Sequence, residues 1–232
     1  MRRGGYLIQL GLVPYREAWD LQRGLADAVS RRVIPDTIVM LEHPPVITLG
    51  RRAEPGELHV PDGADVEIVE TDRGGKSTYH GPGQLVCYPI LDLGRHGQDV
   101  KRYCRDLEEA LIRTLASLGV EAMRIDGLTG IWLQPPPRKI ASIGIHISKW
   151  ITTHGYALNV DLDPAPFTDW ITACGLEDTA FTTLARELDR PIAVDEVRPY
   201  AAAALAEVIG LELEEVPAGE VHGLHLQLAA RS

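Results

Sequence analysis

The chain has 232 residues, 45% of them hydrophobic and 24% charged, which is the composition of a globular protein and close to the upper size for one hydrophobic core. Its formal net charge of -10, from 23 basic and 33 acidic side chains, is the wrong sign for gripping phosphate backbones and argues against a nucleic-acid partner. Three cysteines without a C-x-x-C pair suggest neither a disulfide framework nor a thiolate zinc site; with no apolar run near ~18 residues and no readable secretion signal, a soluble cytoplasmic protein without membrane attachment is expected.

In chain order, the apolar stretch 6–12 predicts a strand. Pro14 suits a first helical turn, where its missing N–H would have had no partner, and Ala18, Leu21, Leu25, Ala28, Val29 and Val33 then predict a helix over 15–33. Two apolar runs within 37–49 flank His43-Pro44-Pro45 and predict two strands with a bend, because proline donates nothing to a ladder. Residues 51–65, rich in proline, glycine and charge, read as a surface loop before a strand at 66–70. A glycine-rich loop at 73–84 leads into a buried strand at 84–93. The clearest helix is 99–118, with apolar groups at Val100, Tyr103, Cys104, Leu107, Leu111, Leu115 and Leu118. Strand-like pieces follow at 121–125, 130–133, 139–149 and 151–160, with Pro135-Pro136-Pro137 turning the hairpin into Lys139. Residues 164–175 read as irregular, 196–209 as a helix with an alanine-rich face, and the tail is ambiguous. Runs of strands between a few helices predict an α+β fold, a mixed and mostly antiparallel sheet flanked by helices, in one domain spanning 1–232.

Three stretches carry candidate chemistry. Residues 73–84 pack Arg73, Gly74, Gly75, Lys76, Ser77, Thr78, Tyr79, His80 and Gln84 between two strands. Gly-Lys-Ser hints at a phosphate-binding P-loop, but that motif needs a glycine where Glu70 stands. Glycines instead let backbone N–H groups approach a small-molecule carbonyl; a tight hairpin with solvated side chains is the plainer alternative. Lys139 heads an apolar strand that continues through Ser142, Ile143 and Gly144. It is either a surface lysine or a partly buried amine able to trade protons near neutrality. His154, Gly155, Tyr156 and Ala157 put an imidazole beside a glycine on the next strand, alone more consistent with packing than with chemistry. Cys174 sits between small residues in an aperiodic segment, as an accessible nucleophile or as a structural thiol, whereas Cys87 and Cys104 fall on apolar faces and read as buried hydrophobes. The eight histidines include no H-E-x-x-H and no cysteine partner at zinc spacing, so no metal site is expected.

Together these stretches resemble the lipoyl(octanoyl) transferases. Arg73 to Gln84 follow that family's R-G-G-x-x-T-Y-H-x-P-G-Q pattern, Lys139 to Gly144 its K-I-x-S-I-G pattern, and His154 to Asn159 its H-G-x-A-L-N pattern. The family's catalytic cysteine aligns with Cys174, although Ala173 stands where a proline is usual. The resemblance spans roughly residues 6–210. It implies a fold like the catalytic domain of biotin and lipoate protein ligases, and transfer of an octanoyl group through an acyl-cysteine. Cys174 and Lys139 are then the catalytic pair, and Arg73 to His80, Ser142 to Gly144 and His154 to Ala157 are substrate contacts. The implied donor is octanoyl-acyl carrier protein. The implied acceptors are lipoyl domains of 2-oxoacid dehydrogenases and the glycine-cleavage carrier protein, with neither ATP nor metal as cofactor. An ATP-dependent ligase and a non-catalytic acyl-binding module are the rival classes.

Overall fold

In the computed structural model, which describes residues 2–54, 56–172, 179–217 and 220, the chain runs through twelve strands and five α-helices among those residues. The first half contains β1 (Arg3–Leu12), α1 (Tyr15–Ser30), β2 (Asp36–Glu42), β3 (Val46–Leu49), β4 (Glu67–Glu70), β5 (Ser77–His80), β6 (Gln84–Ile90) and α2 (Val100–Ser117). The second contains β7 (Met123–Ile125), β8 (Leu128–Leu133), β9 (Arg138–Ser148), β10 (Ile151–Asn159), α3 (Pro166–Asp169), β11 (Ala180–Phe181), α4 (Leu184–Leu188), α5 (Val194–Ile209) and β12 (Leu211–Val216).

The large sheet has the order β12-β1-β2-β6-β10-β9-β8-β7, with β11 pairing beside β9. Its centre is antiparallel, and the pairs β1–β2 and β1–β12 are parallel. Both faces of the central strands are buried because helices cover both, so those strands read as continuous apolar runs. Successive side chains point to opposite faces. Ile38 and Met40 of β2, with Leu85 and Cys87 of β6, pack under α2 and α5 against Leu107, Leu111 and Leu205. Val39, Leu41, Val86 and Tyr88 face the other way, against Ala18, Leu25 and Val29 of α1. A smaller sheet, β4-β3-β5, sits apart from this sandwich and carries the glycine-rich segment.

Several boundaries differ from the sequence reading for local physical reasons. α1 ends at Ser30 rather than 33, because Arg32 adopts a left-handed φ of 59° that turns the chain back toward β2 and leaves Val33 45% exposed. Pro14 lies just before the helix, with extended backbone, rather than in its first turn. A third of the expected glycine-rich loop is strand: Ser77 to His80 pair antiparallel with β3 and all four are buried. The irregular stretch after Pro164 contains α3, and the ambiguous tail contributes β12, whose Leu211 and Val216 are buried beside β1. α4 and β11, absent from the sequence reading, are too short to give a periodic signal. Cys87 is a buried core thiol as expected, but Cys104 is only half-buried and faces a cavity. Among the described residues no helix is long and apolar enough to cross a membrane.

Gly155 on β10 lies directly opposite Gly144 on β9. A Cβ at Gly155 would overlap the Cys87 carbonyl oxygen on β6 and come within 2.6 Å of Pro89 Cδ. Gly155→Ala must therefore push β10 away from β6, with an expected loss of about 1–3 kcal/mol of stability in urea denaturation. An unchanged midpoint would show that the strand pair yields without cost.

Candidate active site

The glycine-rich segment lies against β9 by backbone contact. The Gly74 N–H donates to the Ile145 carbonyl at 2.8 Å, and the missing side chain of Gly144 opens the approach, since a Cβ there would meet the Gly74 carbonyl at 3.1 Å. Gly75 has a left-handed φ of 91°, which suits glycine, and its carbonyl lies where a Cβ on Gly50 would be. Arg73 is buried and anchors the segment to the small sheet, donating Nε to Thr48 Oγ1 at 3.0 Å and Nη2 to the Thr48 carbonyl at 2.6 Å. Ser77 Oγ donates to Glu57 Oε2 at 2.7 Å, and Lys76 Nζ lies 3.1 Å from Glu57 Oε1.

Between this segment and β9 and β10 lies a cavity of about 340 Å³. That is within the ~300–1,000 Å³ range of small-molecule pockets. Lys139 lines it from the head of β9 and is only 2% exposed, with Nζ 5.4 Å from the centre of the Trp132 ring. Gly130, with φ 109°, clears space for that side chain, since a Cβ there would come within 2.8 Å of Lys139 Cε. Ser142, Ile143 and Gly144 line the cavity from β9, and His154, Gly155, Tyr156 and Ala157 from β10.

Three buried histidines lie on the glycine-rich side, and two of them, His43 and His80, are held neutral by geometry as well as burial. His80 Nδ1 lies 2.7 Å from Gln84 Oε1, and Gln84 passes its amide on to Asn159 Oδ1 at 3.0 Å. With an amide oxygen as partner, Nδ1 carries the proton and Nε2 is left as the acceptor. His43 Nδ1 donates to the Val13 carbonyl at 2.6 Å, while Nε2 accepts from the Tyr88 hydroxyl at 2.7 Å. Burial lowers His43 to about 4, and burial with the neighbouring His43 lowers His80 to about 3. The Nε2–H of His154 donates to Asp72 Oδ1 at 2.7 Å, and burial pulls its pKa down against the pull of that carboxylate. Tyr15, first in α1, stacks on His80 with ring centres 6.0 Å apart.

The structure brings most of the sequence candidates to this cavity: Arg73, Gly74, Gly75, Lys76, Ser77, Thr78 and His80 line it beside the β9 and β10 residues. Tyr79 does not. It points to the opposite face of β5, where its ring meets Phe167 at 5.7 Å and Trp170 at 5.9 Å, so it is a packing residue. Cys174 lies outside the described residues. Sequence reasoning missed Tyr15, His43, Asp72 and Tyr88, which surround or line the cavity. His43-Pro44-Pro45 and Asp72 beside Arg73 were visible signals, but Tyr15 and Tyr88 look like ordinary core aromatics on their own elements.

Residues 14–206 match the lipoyl protein ligase A/B catalytic-domain family. An octanoyltransferase of Chloroflexus aurantiacus is 48% identical over 208 residues, covering 88% of this chain and 93% of the relative. An octanoyltransferase of Mycobacterium tuberculosis is 52% identical over 204 residues, covering 87% of this chain and 85% of the relative. Among solved structures, a bi-partite lipoate protein ligase of Thermoplasma acidophilum superposes with a TM-score of 0.75 at 17% identity, covering 99% of this chain and 93% of that one. That last likeness speaks for the fold.

The neutral imidazoles make stability depend on pH. Unfolded histidines bind protons below ~6.5, whereas folded His43 and His80 resist until about 4 and about 3. The unfolded chain therefore gains protons first as pH falls, so the stabilisation is complete above ~6.5 and is lost progressively below it. Urea midpoints should fall between pH 7 and pH 5, and NMR should show two imidazoles that do not titrate above pH 5. Every histidine titrating near 6.5 would refute the assignment.

Proposed function

This chain belongs to the octanoyltransferases of the lipoyl protein ligase A/B catalytic-domain family, acyltransferases of lipoate biosynthesis, and on that premise we propose a ping-pong reaction carried by Cys174 and Lys139. Cys174, as thiolate, attacks the octanoyl thioester on the phosphopantetheine arm of acyl carrier protein and becomes an octanoyl thioester. A lysine amine of a lipoyl domain, in a 2-oxoacid dehydrogenase subunit or the glycine-cleavage carrier protein, then attacks that carbonyl and leaves as the amide. Thioester to amide is downhill, so neither ATP nor a metal is required. Lys139 lowers the thiol's pKa and moves protons between sulfur and amine. The backbone of Gly74 and Gly75 and the Nε2 of His80 shape the cavity wall around the acyl carbonyl. Burying the seven carbons beyond that carbonyl contributes at most about 5–6 kcal/mol, at ~0.8 kcal/mol each, enough to select chain length coarsely.

One observation carries this reading: both flanks of residues 173–178 are tied to the cavity. On one side the Thr172 carbonyl accepts from Ser77 Oγ at 3.2 Å, and the Thr172 N–H donates to the Glu57 carbonyl at 2.9 Å. On the other, Phe181 pairs with Lys139 in a parallel register, and the Thr182 N–H donates to the Lys139 carbonyl at 3.0 Å. The flanks of the span that carries Cys174 are thus anchored at Ser77 on one side and at Lys139 on the other.

Mixing the protein with octanoyl-acyl carrier protein without nucleotide should add one octanoyl group by intact-protein mass spectrometry. It should map to Cys174 and be absent in Cys174→Ala. Free octanoate with ATP and magnesium should give no lipoyl-domain octanoylation; strict dependence on ATP and free acid would make the chain a ligase. Lys139→Arg keeps a charge but not a proton that leaves easily, so turnover should fall by about 10²- to 10⁴-fold. Wild-type turnover in that variant would remove proton transfer from Lys139.

A further inference from the structure

Acyl transfer to lysine changes the proton count of the site. At neutral pH the acceptor arrives as an ammonium. When its nitrogen forms the amide bond and the carbon–sulfur bond breaks, two protons leave nitrogen: one reprotonates the departing Cys174 thiolate, and the other is surplus. The first half-reaction has no surplus, because the thiol proton of Cys174 ends on the departing thiol of the donor. A buried amine half-reaction therefore needs an exit for one proton per turnover.

A hydrogen-bonded chain runs from the cavity wall toward solvent. The buried Tyr15 hydroxyl lines the cavity and lies 3.4 Å from His154 Nδ1, and His154 Nε2 lies 2.7 Å from Asp72 Oδ1. The Asp72 side chain is 37% exposed, and its second oxygen lies 3.6 Å from Nε2 of the partly exposed His146. With a carboxylate accepting from Nε2–H, the neutral ring of His154 presents Nδ1 as an acceptor to the tyrosine. His154 also has a left-handed φ of 56° within a strand, held by its N–H donating to Gln22 Oε1 at 2.7 Å. A non-glycine residue kept in that region inside a ladder is a strained backbone retained by its surroundings, and such strain gathers at functional sites. The 3.4 Å step is long, as catalytic hydrogen bonds commonly are before substrate binds.

We propose that Tyr15, His154 and Asp72 form the outlet through which the surplus proton of the amine half-reaction leaves the cavity. The proposal rests on the lysine-acceptor reading above. The proton passes to the Tyr15 oxygen as the tyrosine's own proton moves to His154 Nδ1. His154 becomes an imidazolium balanced by Asp72, and its Nε2 proton leaves by way of the Asp72 carboxylate to water. The starting tautomer is restored after the product leaves, when Nε2 regains a proton from water through Asp72 and the Nδ1 proton passes back by Tyr15 to water in the emptied cavity. Tyr15 and His154 both line the cavity, and Tyr15 supplies the hydroxyl through which His154 and Asp72 reach the amine.

The test compares two nucleophiles on the octanoyl-enzyme made from octanoyl-acyl carrier protein. A lipoyl-domain lysine arrives charged and leaves a surplus proton. Hydroxylamine is uncharged at neutral pH and leaves none. In Tyr15→Phe and Asp72→Asn, the ratio of hydroxylamine to lysine deacylation rates should rise on the order of 10²-fold over wild type. Effects of either substitution on folding or acylation cancel in that ratio, and rates taken at saturating lipoyl domain remove effects on its docking. An unchanged ratio in both variants overturns the outlet. If wild-type protein forms no acyl-cysteine, the ping-pong reading fails by itself, and the same contrast read as overall turnover still decides for or against the outlet.

Discussion

The contact between the Gly74 N–H and the Ile145 carbonyl is the constraint on which the site depends. The glycine-rich segment meets β9 there by backbone, because Gly74 and Gly144 lie at the joint and Gly50 leaves room behind. A Cβ at Gly74 or Gly144 would press on the Ile145 or Gly74 carbonyl at 3.3 and 3.1 Å and loosen this joint. Arg73 closes the same joint from the side, with its guanidinium spent on Thr48. The arginine of the glycine-rich motif thus positions backbone at least as much as it presents charge.

Excluding water has electrostatic consequences. A polar group in the joint must find a fixed partner, since an unpaired buried one is costly. Gln84 and Asn159 supply that partner for His80 through a row of amides running to the Thr182 carbonyl at 3.1 Å. Motif residues that look catalytic in a one-dimensional reading therefore divide by role. His80 faces the cavity, Gln84 and Asn159 hold it, Ser77 ties down Glu57, and Tyr79 packs on α3. A neutral imidazole with a defined tautomer is the product, and it accepts a hydrogen bond where a charged one would only donate.

The helices serve the site indirectly. α2 and α5 cover one face of the central strands and α1 the other, so β9 and β10 reach the cavity as a stiff pair. α1 has a second duty, since its first residue, Tyr15, enters the histidine cluster while Gln22, two turns on, accepts the backbone N–H of His154. The likeness to a lipoate protein ligase is one of fold, and the fold by itself sets no chemistry.

By itself the sequence determined the element types, the α+β class and the segments that bear chemistry. Those signals are local: helical spacing over 99–118, apolar strand runs at 84–93 and 151–160, and glycines and prolines at the breaks. It also exposed Lys139 as out of place, because an ammonium at the head of an apolar strand needs a reason. What it left open was everything that depends on which surfaces meet. The burial of Ser77 to His80 as a strand comes from pairing with β3, some thirty residues earlier, and no pattern within the segment encodes that partner. The exposure of Cys104 to the cavity follows from the placement of α2 beside β8, not from its own apolar neighbours. Tyr15, His43, Asp72, Tyr88 and His154 lie on five separate segments, and none of those segments encodes its meeting with the others. Only tertiary structure brings them within hydrogen-bonding and stacking distance, because proton affinity and tautomer are set by neighbours across space rather than along the chain.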